Sequence, residues 1–342
     1  MNALKVMKFA KELLLIDSPT GYTKAVIDFY EKEVKALGYE TMHTNKGNLI
    51  VKVPGIGHHT KALCAHVDTL GLMVRSIKED GTLVFTLVGG PIVPTLDGEY
   101  CKIVTRDGRT YTGTILSNSP SAHVYDDSKN APRTDMTMHV RIDECVSSKA
   151  EVEELGIMPG DYICIDPKTT ITPSGFIKSR FLDDKLSVAI LYGLLKTMKE
   201  EFIIPCDTWY FMISTYEEVG HGCAYIPEEI EEVIAVDMGC IGKDLSCTER
   251  AVSICAKDSS GPYDYQMTTT LINLAKDNEL SFAVDIYPFY SSDVSASLRG
   301  GQDVRGALIG PGVAASHGME RSHMDAVENT MKLLIAYMTK KD

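Results

Sequence analysis

Residues 183–218, DDKLSVAILYGLLKTMKEEFIIPCDTWYFMISTYEE, set the architecture. Residues 184–199 predict a helix that is apolar around most of its circumference, and such a helix belongs inside a fold. Residues 209–214 predict a strand, WYFMIS, which the chain leaves on Glu217 and Glu218. A buried helix running into an apolar strand is the alternation from which α/β sheets are built. The same grammar continues on both sides. Toward the N-terminus, residues 61–67 predict a buried strand ending on His66 and Asp68, and residues 48–53 an alternating strand. Residues 4–15 and 24–37 predict amphipathic helices, the second closed by Gly38. Toward the C-terminus, strands are predicted at 233–236, ending on Asp237, at 252–256 and at 282–286, with helices at 265–278 and 325–339.

Between these arms, from about Gly71, strand-like runs at 83–88, 100–105, 111–116, 136–142 and 162–165 follow one another with no helical run. Asp107-Gly108 and Pro159-Gly160-Asp161 read as turns. The expected fold is therefore α/β: a three-layer αβα domain with a mainly parallel central sheet, made of residues 1–70 and 176–342. An inserted small all-β, barrel-like domain at 71–175 interrupts it.

Composition narrows the function. The chain has 342 residues and carries 34 Lys and Arg against 47 Asp and Glu, a net charge of −13, which argues against nucleic-acid partners. No apolar run approaches the ~20 residues of a membrane helix, and residues 1–17, with Lys5, Lys8, Lys11 and Glu12, read as an amphipathic helix rather than a signal peptide. Nine cysteines, several inside apolar strands (Cys64, Cys164, Cys255) and none in a C-x-x-C pair, point to buried thiols in a reducing, cytoplasmic compartment. The spacing of Cys240, Cys247 and Cys255 fits no common zinc motif.

Chemistry-bearing residues recur at the C-terminal ends of predicted strands, where open α/β sheets bind ligands. They are His66 and Asp68, Asp183 and Asp184, Glu217 and Glu218, Asp237, and His317 or His323. Imidazoles and carboxylates without thiols suit zinc, cobalt or manganese. Each element also has a plain structural reading: a solvated strand end for His66-x-Asp68, an N-cap for one aspartate of the pair, exposed carboxylates for Glu217-Glu218, a turn for Asp237. His317 and His323, in SHGMERSH before the last helix, each suit a ligand or a cap.

Taken together, DSPTG near the start, AHVDTLGLMV, FLDDKLSVAIL, STYEEVGHGCA, AVDMG, SSDVSA and DAVENTMKLL resemble, in order and spacing, the dinuclear metallo-aminopeptidases of the glutamyl-aminopeptidase and deblocking-aminopeptidase family, whose members often form tetrahedral dodecamers. The resemblance implies two divalent ions per chain, zinc or cobalt with manganese as a third choice. His66 and Glu218 would be terminal ligands, Asp183 the bridging ligand, and Asp237 a ligand of the His66 ion or its neighbour. Glu217 would be the general base and Asp68 the orienting group. It also implies peptide substrates with a free N-terminus, hydrolysed by a water shared between the ions, and self-association, from a dimer upward, through the β insert. The last histidine departs from the family's His-Ser-Pro-x-Glu; spacing favours His317 over His323. Lys185 stands where the family commonly has Arg. An N-acyl hydrolase on the same centre and a non-catalytic assembly protein are the competing expectations. A glycosidase would leave the histidines without a task.

Overall fold

The computed structural model describes residues 2–340. The chain divides into two compact units, Met1–Asp68 with Lys168–Asp342 and, between them in sequence, Thr69–Pro167.

The larger unit is built on a mixed sheet ordered Thr41–His43, Leu49–Val53, Thr208–Ser214, Thr60–His66, Glu232–Val236, Arg305–Val313, Val252–Asp258. Its four inner strands, Thr208–Ser214 to Arg305–Val313, run parallel, and antiparallel strands flank them. Phe282–Ile286 adds a parallel edge beside Val252–Asp258. The inner strands are buried nearly throughout (burial of both faces being the rule for parallel sheets), so their side chains read as continuous apolar runs. Register brings their C-terminal ends level: Ser214 lies opposite His66, Ala235 opposite Cys64 and Val236 opposite Ile309.

One face of the sheet carries a thick helical layer. Leu182–Glu200 lies against the strand Thr60–His66 and is itself covered by Ala3–Leu14 and Met324–Thr339. Nearly every residue of Leu182–Glu200 is buried, as its all-round apolar character requires. Each buried Leu or Ile along it, such as Leu186, Ile190 and Leu194, contributes about 1.5–3 kcal/mol. Phe9 stacks on Tyr192 at 3.9 Å between ring centroids, with Tyr30 beside both. Lys185, buried at the start of the long helix, donates its ammonium to the carbonyls of Leu13 (3.0 Å) and Ile16 (2.6 Å) and so closes the C-terminal end of Ala3–Leu14. The other face is thinner. The short helix Asp293–Arg299, opened by a Ser292–Ser295 capping box, packs there with loop residues Cys223, Ile226 and Ile230 over Cys64, Met212, Val233 and Leu308.

The smaller unit is a closed barrel ordered Gly71–Ile77, Leu83–Val88, Met138–Ile142, Thr110–Ser117, Tyr100–Val104, Tyr162–Ile165, every pairing antiparallel. Closure removes the exposed strand edges of a small sheet.

The structure corrects the sequence expectation in three places. Residues 168–175 belong to the larger unit, because Thr170–Ile171 pairs with Phe176–Ser179, which pairs in turn with Glu320–His323. The insert contains a short helix, Lys149–Glu154, capped by Ser148. The strand Arg305–Val313 has no counterpart among the predicted strands. Gly306, Gly310, Pro311 and Gly312 disguise it as a loop. The glycines are there for close approach: a Cβ on Gly310 would sit 1.8 Å from the carbonyl oxygen of Asp237.

Candidate metal centre

The four parallel strands each deliver a functional segment at the same edge of the sheet. Thr60–His66 leads to His66 and Asp68, Thr208–Ser214 to Glu217 and Glu218, Glu232–Val236 to Asp237, and Arg305–Val313 to the loop with His317. Asp183 and Asp184 enter from the start of the long helix, at non-helical backbone angles. Of the nine residues singled out in the sequence, His66, Asp183, Asp184, Glu217, Glu218, Asp237 and His317 meet there, and Asp68 stands directly behind them.

His66 is fixed through its outer nitrogen. Its Nδ1 lies 2.9 Å from the backbone carbonyl of Asp68, which makes Nδ1 the donor and turns Nε2 toward Asp183 Oδ1 at 3.0 Å and Glu217 Oε2 at 3.7 Å. Asp184 Oδ2 accepts the backbone N–H of His66 at 3.2 Å. Thus the second aspartate of the pair holds the strand that presents the imidazole.

Asp68 is fully buried and works on backbones. Its Oδ1 accepts the N–H of Glu217 (3.2 Å), and its Oδ2 accepts the N–H of Glu218 (3.3 Å) and the hydroxyl of Thr20 (2.7 Å). It therefore sets the short 3-10 turn Glu217–Val219 that aims both glutamates. Ser18 donates to the carbonyl of Val67 at 2.9 Å, so the DSPTG segment serves as a brace for this turn.

Glu320 performs the matching task on the far side. Its carboxylate accepts the backbone N–H of Asp183 (3.0 Å) and of His317 (2.9 Å). His317 has φ +63°, a left-handed conformation costing a non-glycine residue about 1–2 kcal/mol. Its Nε2 stands 3.6 Å from Asp183 Oδ2 and 3.7 Å from Glu218 Oε2. A cavity of about 180 Å³ opens onto the cluster, lined by Asp183, Glu217, Glu218, Asp237, Tyr290 and His317 among others. A larger cavity of about 660 Å³, beside Gly21, Lys24, His43 and Lys46, gathers no comparable cluster.

These groups fit divalent cations. His66, Asp183 and Glu218 each offer a donor atom within 4.8 Å of one another, and so do His66, Asp184 and Asp237. Among the described residues, the ion pairs of Asp183, Glu217 and Glu218 run only to His66 and His317, with no lysine or arginine. Glu218 Oε1 is buried without a hydrogen-bond partner. Burial, then the charges of neighbouring carboxylates, pushes Glu217, Glu218 and Asp184 well above the ordinary carboxylate range. Burial and the charge of Asp183 push Asp237 up to about 7. Burial works against a charged His66, but the hydrogen bond to Asp183 and the charges of Glu217, Asp237 and Asp68 outweigh it, and its pKa rises well above the ordinary value. Asp183 is raised by burial and lowered more by His66 and His317, ending below the ordinary range. Two imidazoles are too little positive charge for this many closely spaced carboxylates, a deficit of the kind that bound divalent cations balance.

His323 stands apart from this cluster, which corrects the expectation that it shares the last ligand position. Its Nδ1 accepts the N–H of Asp325 at 3.1 Å, capping Met324–Thr339, and its Nε2 lies 2.9 Å from the carbonyl of Ser174. Both ring nitrogens are thereby used, and Phe176 packs edge-on at 4.7 Å. His323→Ala is expected to cost about 0.5–2 kcal/mol of stability while leaving metal content unchanged. His317→Ala is expected to do the reverse, and thermal melts paired with metal analysis of both variants check this.

The fold is that of the TET aminopeptidases. The chain superposes on the TET aminopeptidase from a marine sediment archaeon, Thaumarchaeota archaeon SCGC AB-539-E09, with a TM-score of 0.90 at 20% identity, covering 100% of this chain and 98% of that one. It superposes on the Pyrococcus horikoshii TET1 peptidase, described as able to assemble into a tetrahedron or a large octahedral shell, with a TM-score of 0.85 at 22% identity, covering 99% and 100%. Residues 47–333 match the family model described as M42 glutamyl aminopeptidase, and the chain belongs to that family. A Bacillus subtilis (strain 168) protein named "Putative aminopeptidase YhfE" is 47% identical over 337 residues, 98% of this chain and 97% of that protein.

Proposed function

We propose that this chain is a dinuclear metallo-aminopeptidase that removes N-terminal residues from peptides with a free α-amine. The observation that carries the reading is the convergence of Asp183, Glu217, Glu218, Asp237 and His317 on one cavity at the C-terminal edge of the parallel sheet, with His66 directly behind Asp183, and, among the described residues, no lysine or arginine among the ion-pair partners of Asp183, Glu217 and Glu218. His66, Asp183, Glu218, Asp237 and His317 would hold the ions, with Asp183 shared because its two oxygens face different histidines. Zinc or cobalt suits the donor set best, and manganese is the third choice. When bound, such ions polarise a carbonyl and lower the pKa of water.

Glu217 lines the cavity with a carboxylate placed to take a proton from the attacking water and return it to the leaving amine. Asp68 fixes the turn from which Glu217 reaches that water. The acidic walls receive the substrate's α-ammonium group, which an N-acyl group would neutralise and enlarge. Self-association is supported by the described assembly of the Pyrococcus horikoshii relative, and the barrel unit is the part of the chain we assign to it. Nine free cysteines suit a reducing, cytoplasmic setting.

The test is hydrolysis of a panel of aminoacyl-anilides and of their N-acetylated counterparts by zinc- or cobalt-loaded protein. Turnover of the free-amine series alone is expected, and preferential turnover of the N-acetylated series would establish a deacylase instead.

A further inference from the structure

Hydrolysis of a peptide bond places negative charge on the scissile carbonyl oxygen, and that oxygen needs hydrogen-bond donors. The cavity described above is rich in acceptors. Its wall consists of four carboxylates, an imidazole, Phe289, Gly220 and two hydroxyls, those of Tyr290 and Ser291. Tyr290 is the hydroxyl built into the site. Its backbone carbonyl accepts both the N–H (3.0 Å) and the Oγ–H (2.5 Å) of Ser259, and its ring packs against Tyr287 at 5.2 Å and 68°. The side chain is held, and its buried Oη closes no hydrogen bond of ordinary geometry, its one polar neighbour being the carboxylate of Asp237, toward which it leans. A buried donor whose only neighbour is a carboxylate that would itself hold an ion is left to serve a ligand atom.

We propose that Tyr290 is a catalytic residue whose phenolic O–H donates to the scissile carbonyl oxygen as the carbonyl carbon becomes tetrahedral. The inference rests on the aminopeptidase reading and deepens it, assigning the donor that the acidic cluster lacks. No proton is transferred: the phenol donates its O–H to the oxygen and keeps it. The α-amine is excluded as its target, since carboxylates already surround the place an ammonium would take and a donor adds nothing there.

The experiment is Tyr290→Phe, which keeps the ring and its packing on Tyr287. Three quantities are compared with wild type in the metal-loaded protein: kcat and KM on a free-amine anilide, the Kd of a phosphinic dipeptide analogue mimicking the tetrahedral carbon, and bound metal per chain. The expected result is a kcat lower by roughly 10²–10³-fold, KM within about threefold, phosphinate affinity weakened by a similar factor as kcat/KM, and unchanged metal content and melting temperature. Wild-type kcat and phosphinate affinity in the variant overturn the assignment. So does a loss of metal, which would make Tyr290 a support for Asp237 instead. Wild-type protein that loads metal but cleaves no free-amine substrate overturns the aminopeptidase reading and the role of Tyr290 with it.

Discussion

Glu217→Gln is expected to lower kcat on free-amine substrates by roughly 10²–10⁴-fold while the protein keeps its metal and its fold. The amide is nearly isosteric with the carboxylate, and the backbone N–H of Glu217 that Asp68 holds is unaffected. Glutamine cannot accept a proton, so the water loses its base, and that defect falls on kcat rather than KM. The adjacent Glu218 cannot substitute, because its Oε2 is directed to His317 at 3.7 Å. Steady-state kinetics with metal analysis on the same preparation check the prediction. A variant with near-normal turnover would show that Glu217 is not the base.

Asp183→Asn is expected to be as damaging by a different route. Asp183 Oδ1 faces His66 and its Oδ2 faces His317, so one carboxylate links the two halves of the cluster. Its removal should reduce retained metal to one equivalent or fewer and bring activity close to background. Wild-type protein should melt higher when zinc or cobalt is added, since occupancy at 100 times Kd is worth about 2.7 kcal/mol per site. The variant should lose most of that response. Its metal-free melting temperature should change little, because the asparagine keeps the N–H that Glu320 accepts. Scanning calorimetry with and without metal separates these outcomes, and an undiminished metal-induced shift in the variant would remove Asp183 from the shared position.

How far the sequence reveals this site depends on how each residue reaches it. His66, Glu217-Glu218 and Asp237 follow apolar strands, and parallel strands necessarily present their C-terminal ends at one edge, so a linear reading finds them. His317 and His323 both precede the last helix, and spacing alone favours one without separating them. The difference lies in loop geometry: His317 is turned by a left-handed backbone pinned on Glu320, while His323 faces the helix N-terminus. The strand that carries the His317 loop is masked by glycines that exist for close packing, a long-range cause no local pattern records. Glu320, Thr20 and Asp184 act through backbone N–H groups or a neighbouring carboxylate, so their chemistry depends wholly on contacts distant in sequence. Tyr290 lies in a loop whose course is set by Ser259, and no spacing rule points to it. The fold itself is more legible, because burial of strands and of the long helix is written in continuous apolar runs. The end of the insert at residue 167 rather than 175 is a matter of pairing with Glu320–His323, far down the chain.

The central claim is that a single buried carboxylate cluster binds a pair of divalent ions. Metal per chain, measured by plasma mass spectrometry on wild-type protein dialysed to equilibrium with zinc or cobalt and then freed of loose ions, addresses it directly. Two equivalents are expected; a protein that hydrolyses peptides at full rate while holding none would refute it.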